Sequence, residues 1–131
     1  MTPAERKEYV SYRFESAHKT MKAAKVLGDN GFWNSAVNRL YYAAFYAVNA
    51  LLVANEIHAR SHSGVKNQFS LHFIKTKKLD VTYGQLFSEL FDWRQKGDYE
   101  NLYDFEEASV APLFDKVEEF IDALEREASA P

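Results

Sequence analysis

Apolar side chains recur every three or four residues along most of this chain, and no stretch alternates with the period of two that a half-buried strand needs. That pattern restricts the fold to helices packed on helices. Val10, Phe14, Ala17, Met21 and Ala24 form one such seam, predicting a helix over residues 3–27. Thr2 and Glu5 have the spacing of a capping box, and Pro3 falls at the first helical position. Gly28 reads as the stop.

The second predicted helix covers 31–55, with Asn30 as its cap. Trp33, Ala36, Val37, Leu40, Ala44, Val48, Leu51 and Leu52 make a wide apolar face, and Ala43, Ala47 and Ala50 allow close approach, so this helix is expected at the centre. A third helix is predicted over 62–75, capped by Ser61, with Val65, Phe69 and Phe73 inward. A fourth covers 81–96 after Asp80, with Tyr83, Leu86, Phe87 and Leu90 inward and Gly97 at its end. The last covers 110–127 after Ser109, with Leu113, Phe114, Val117, Phe120, Ile121 and Leu124 inward; Pro112 is tolerated only in its first turn. Residues 127–131 are expected to fray as a flexible tail.

A chain of 131 residues is read as one domain spanning 1–131. With no Cys, a disulfide framework, Cys-ligated zinc and a Cys nucleophile are excluded. MTPAERKEYV lacks the apolar stretch of a signal peptide, and residues 40–54 are too short to span a bilayer. A cytoplasmic protein without membrane contact is the expectation. The net charge of −3 is unevenly spread: residues 57–79 carry +5 and no acid, whereas residues 98–131 carry −9. A basic face can therefore coexist with an acidic average; solvated helix surfaces are the alternative.

Two features break the helical patterns. Arg94 continues the inward stripe of the fourth helix, four residues after Leu90, beside the turn with Gly97, Asp98 and Tyr99. It serves either a ligand site or a bridge to Asp98. Ser35, Arg39, Tyr42, Tyr46 and Asn49 share one face of the central helix, suited to packing or a dimer contact. His62, Ser63, Gly64 and Lys66 open the third helix, where exposed amides and a cation can hold a phosphate. His58, His62 and His72 lack a metal-ligand spacing, and HExxH, P-loop, GxGxxG and GxSxG motifs are absent. No metal or cofactor is expected.

The runs AVNRLYYAAFYAVNALL, HSGVKNQFSLHFIK and RQKGDYE resemble the HEPN superfamily, and in particular its small stand-alone prokaryotic members with R-x-Y-Y-A and R-x-x-x-D-Y segments. The resemblance covers roughly residues 5–125. It implies an all-α, up-and-down bundle of four helices with an additional short helix, and a homodimer. It also implies pairing with a small nucleotidyltransferase in a toxin–antitoxin-like system. Many members are metal-independent ribonucleases with an R-x4-6-H motif at the dimer cleft. Arg94 matches the motif arginine, but Tyr99 stands where the histidine would be, and no His follows Arg94. The acid–base imidazole is missing from its usual place.

The leading expectation is thus a non-catalytic module that binds RNA, a nucleotide or a partner through Arg94, Asp98, Tyr99, Arg39, His62 and Lys66. The alternatives are a ribonuclease using Arg94, Tyr99 and His62, and a purely structural or protein-interaction bundle.

Overall fold

A computed structural model describes residues 1–100 and 102–130. Its elements are α1 (Pro3–Asp29), α2 (Trp33–Ala54), α3 (His62–Phe69), a π-helical turn (Ser70–Ile74), α4 (Val81–Tyr99), a one-turn α5 (Glu107–Val110) and α6 (Leu113–Ala128). No strand occurs among the described residues. The fold is the expected HEPN-like helical bundle.

Several helix signals act as the sequence predicts. Thr2 and Glu5 form a reciprocal capping box, with the Glu5 amide donating to Thr2 Oγ1 at 3.1 Å and the Thr2 amide donating to Glu5 Oε1 at 2.8 Å. Ser61 Oγ accepts from the Gly64 amide, and Asp80 Oδ1 from the Thr82 amide, each at 2.9 Å.

Others act differently. Gly28 lies inside α1, and a Cβ built there would sit 2.9 Å from Phe114 Cζ and 3.1 Å from Trp33 Cζ3. It is a packing position, not a stop. The stop is Gly31, whose φ of +79° needs a residue without a Cβ. The Phe32 and Gly31 amides donate to the Leu27 and Gly28 carbonyls, at 2.9 and 3.0 Å, as in a Schellman motif. Asn30 is therefore the C-cap of α1, and α2 begins without a side-chain cap.

The expected 62–75 helix widens at Ser70, where the Lys75 amide donates to the Ser70 carbonyl across a π turn at 2.8 Å. Gly97 is internal to α4, because Phe105 packs where a Cβ would point, 3.0 Å away. The expected 110–127 helix is two pieces: Ser109 belongs to α5, and Pro112 is the N-cap of α6. α6 continues to Ala128, and the Ser129 amide still donates to the Glu125 carbonyl, so the start of the expected tail is helical. Pro131 lies outside the described residues.

The long helices run up, down, up, down. Arg6 meets Glu56 and Tyr9 meets Asn49, which sets α1 antiparallel to α2. Asn38 meets Asp98, which sets α2 antiparallel to α4. His18 and Lys25 meet Glu125 and Glu118, which sets α6 antiparallel to α1. α2 touches α1, α3, α4, α5 and α6. Its Ala36, Ala43, Ala44, Ala47 and Ala50 are fully buried, which lets neighbouring backbones approach closely. Beside it Tyr41, Phe87 and Phe120 form a stack, with ring centres 5.9 and 6.0 Å apart. Burying each such ring contributes about 1.5–3 kcal/mol.

Candidate functional site

Helical periodicity carries Arg94 inward. Phe87 and Leu90, on the same face of α4, are fully buried, and Arg94 itself is only 8% exposed. Its guanidinium lies over the rings of Tyr41, Tyr42 and Tyr99, at 5.0, 5.7 and 5.8 Å from their centres. Among the described residues it has no carboxylate partner, and its buried Nε donates to nothing. Ring faces return about 0.5–2 kcal/mol each to a cation. Removing a charge from water costs several kcal/mol, which is why buried arginines are normally paired. Among the described residues the compensation for this charge is the three tyrosine rings.

The alternative reading, a bridge from Arg94 to Asp98, is not what forms. Asp98 Oδ2 accepts from Asn38 Nδ2 at 2.8 Å, and Asn38 Oδ1 accepts from Arg39 Nε and Nη2 at 3.0 and 2.8 Å. Asn38, one turn below Tyr42 on α2, intercepts the carboxylate. Arg39 also covers the Tyr42 ring at 5.1 Å, so that ring has a guanidinium close on Arg39's side and another at Arg94.

His62 reaches this cluster from the start of α3. Its Nδ1 lies 2.7 Å from the Tyr41 hydroxyl. Its ring packs on Phe45 with centres 4.5 Å apart and meets Tyr42 edge-on at 5.8 Å. Burial holds the imidazole below its ordinary pKa, and the Arg94 charge adds to the effect. Burial pushes the Tyr41 hydroxyl well above the usual tyrosine range, against the opposing pull of Arg94. Arg94 and His62 therefore gather around two adjacent tyrosines of α2, and Tyr99 joins them through the Arg94 guanidinium.

The remaining sequence-predicted residues sit further out. Tyr99 is 73% exposed and forms the outer wall. Lys66 stands over the Phe91 ring at 4.6 Å, on the neighbouring α3–α4 surface. Ser35 is exposed, and Tyr46 is half-buried against Arg13, whose guanidinium lies 5.2 Å from its ring. Asn49 accepts from the Tyr9 hydroxyl at 3.3 Å. His72 pairs with Gln68 within its own helical segment.

Tyr41 and Asn38 are site residues that pattern reading passes over. Tyr41 falls four residues after Val37 and three before Ala44, on the aliphatic stripe of α2. A hydroxyl on that stripe needs a partner, and this was the available signal.

Two surface grooves open on α4, and the second meets this cluster at Tyr99. One, of about 630 Å³, is lined by Asp80, Tyr83, Glu89 and Glu119 among others; the second, of about 620 Å³, by Glu89, Asp92, Tyr99 and Glu100 among others. Their carboxylates disfavour a phosphate ligand. On the α1–α6 face His18, Asp122 and Glu125 bring one potential metal-ligand atom each within 4.8 Å of one another, and His18 Nε2 already meets Glu125 Oε1 at 2.9 Å. Among the described residues no helix is long and apolar enough to cross a membrane.

The family model for the HEPN domain matches residues 10–127. A UPF0332 protein of Thermotoga maritima is 39% identical over 122 residues, covering 93% of this chain and 92% of that one. Two Methanocaldococcus jannaschii proteins are also similar, and their names describe both as candidate toxins. One is 35% identical, covering 86% of this chain and 76% of its own. The other is 29% identical, covering 92% and 89%.

Proposed function

The chain belongs to the HEPN domain family, and from that premise we propose that it is a phosphate-binding module for RNA or a nucleotide, acting as a homodimer in a toxin-like system. The observation that carries the reading is Arg94: a buried cation with an unpartnered Nε and no carboxylate among the described residues. A guanidinium offers a planar fork of donors matched to phosphate. Tyr99, largely exposed beside the guanidinium, adds a ring face on which a base can stack. Arg39 and the basic segment 57–79 supply long-range attraction to a polyanion.

The names of the two archaeal relatives support a toxin-like role. In that setting a small nucleotidyltransferase is the proposed partner, and the half-exposed stripe of Arg39, Tyr42 and Tyr46 is the proposed contact between protomers. The test is fluorescence anisotropy with a labelled single-stranded RNA and, separately, with ATP. Arg94→Met should abolish binding of whichever ligand is recognised. Unchanged affinity in that variant would remove Arg94 from the site.

A ribonuclease reading has one observation in its favour: His62 brings an imidazole beside Arg94 from α3, although none follows Arg94 in sequence. RNA cleavage by the wild-type chain that is lost in His62→Leu would establish it.

A further inference from the structure

We propose that Tyr41 is a positioning residue that holds His62 in the tautomer protonated on Nε2, making His62 a neutral hydrogen-bond donor that shares an RNA phosphate with Arg94. The inference rests on the reading of Arg94 as a phosphate anchor and assigns it a second donor.

The Tyr41–His62 contact of 2.7 Å can be made in two ways. In one, Nδ1–H donates to the tyrosine oxygen. The phenolic proton then has no acceptor, because Tyr41 is fully buried and its hydroxyl meets only His62 among the described residues. A buried donor left without a partner forfeits the hydrogen bond it would make to water. In the other, the tyrosine O–H donates to Nδ1 and both groups are satisfied. The ring proton of a neutral imidazole must then sit on Nε2.

The charged forms are disfavoured on both sides. An imidazolium would carry a proton on Nδ1 against the tyrosine O–H, and it would stand near the Arg94 guanidinium. A tyrosinate would be a buried anion, and burial keeps the hydroxyl protonated. The pair is therefore neutral at neutral pH, with the Nε2 proton fixed.

Nε2 has no protein partner among the described residues, yet it is not among the buried unpartnered atoms, so it keeps access to solvent. Phe45 under the ring and Tyr42 at its edge hold the orientation. The positive end of α3 begins at the same residue. The second independent mark of a ligand is the orphaned Nε of Arg94, whose guanidinium lies over the same two tyrosine rings that His62 packs against. A site made of a fixed cation and a neutral N–H binds an anion; it does not present a free basic nitrogen.

The decisive measurement is long-range 1H–15N correlation NMR of the full chain labelled at histidine, at neutral pH, with His62 identified by its loss in His62→Leu. The expected pattern is pyrrole-type Nε2 and pyridine-type Nδ1. In Tyr41→Phe the two nitrogens should average towards a tautomer mixture, and affinity for a short single-stranded RNA should fall about five- to tenfold, the worth of one neutral hydrogen bond. His62→Leu should weaken the same RNA by a similar factor. A pyridine-type Nε2 in the wild type overturns the proposal, and so does a tautomer unmoved by Tyr41→Phe. Failure of the anchor reading is separable, because it shows as Arg94→Met binding RNA normally, whatever the tautomer. ATP as competitor distinguishes a nucleotide site from an RNA backbone site: displacement at equal concentration of phosphate overturns RNA as the ligand.

Discussion

The Arg94 guanidinium lies 5.0 Å from the centre of the Tyr41 ring, and both residues are withdrawn from water. A charge so placed is held against its own desolvation, with ring faces as the compensation visible among the described residues. Arg94→Met keeps an unbranched stem to about the position of Nε and removes the guanidinium with its charge. Its urea midpoint should equal or exceed that of the wild type, while RNA binding is lost. A loss of more than about 2 kcal/mol would mean that Arg94 serves the fold more than a ligand.

Asp98 should be nearly silent in stability. Its carboxylate accepts from Asn38 on the protein surface, and such exposed polar contacts are worth about 0.5 kcal/mol or less. Asp98→Ala should change stability by no more than that. A double-mutant cycle between Arg94 and Asp98 should give a coupling below about 0.5 kcal/mol. A larger coupling would restore the ion pair that neighbouring positions on one helix suggest.

The apolar seams were legible as the long helices and their inward faces, because burial at a period of 3.6 leaves a direct trace in sequence. Helix ends were less readable. Gly28 and Gly97 look like stops because glycine favours the left-handed region, yet both are helical and small because Phe114 and Phe105 press on them. Only the tertiary neighbour separates the two uses. Arg94 was visible as a charge on an apolar stripe. Its separation from Asp98 was not, since that depends on Asn38 reaching across from α2. His62 joins the site through a contact spanning 21 residues, which no local pattern records.

Gly28 offers a direct check of that packing. In an exposed helix Gly→Ala stabilises by up to about 1 kcal/mol. Here a methyl group would stand 2.9 Å from Phe114 Cζ and 3.1 Å from Trp33 Cζ3. Gly28→Ala should therefore destabilise, by about 1–3 kcal/mol. A more stable variant would show that α6 is free to shift away from α1.

The centre of the core should be unforgiving. Leu40 and Phe87 are fully buried, and truncating either to Ala leaves a cavity costing about 2–5 kcal/mol. Denaturant unfolding of Leu40→Ala and Phe87→Ala measures this. A cost below about 0.5 kcal/mol would contradict the helix faces described.

The proposed dimer predicts a mass in solution near twice 15.1 kDa at micromolar concentration. Tyr46, half-buried on α2 with Arg13 beside it, lies on the proposed contact. Tyr46→Glu places a carboxylate there in both protomers, and like charges facing across a two-fold axis repel. Sedimentation should show dimer for the wild type and monomer for the variant. A wild-type chain that stays monomeric at every concentration would remove the shared interface.

His62 also predicts how stability depends on pH. Burial, with the Arg94 charge adding to it, lowers the pKa of His62 in the folded chain. The unfolded chain titrates near the ordinary histidine value, about 6.5. Between those two values the unfolded state binds a proton that the folded state does not, so stability falls as pH falls. Above about 6.5 neither state is protonated at His62, and its contribution is level. Glu5 and Asp80 act in a separate window: hydrogen bonds to the backbone at Thr2 and Thr82 lower their pKa values, and the stability they contribute is lost only as pH drops through the carboxylate range. Urea midpoints across the mildly acidic range therefore stand apart from these carboxylates, and comparison with a His62 variant separates His62 from the other histidines. The wild type should lose stability as pH falls from 6.5, by this linkage, and His62→Gln should lose less over the same interval. Identical slopes in the two proteins would show that His62 is protonated equally in both states, which the Tyr41 hydroxyl and the Arg94 charge would then have failed to prevent.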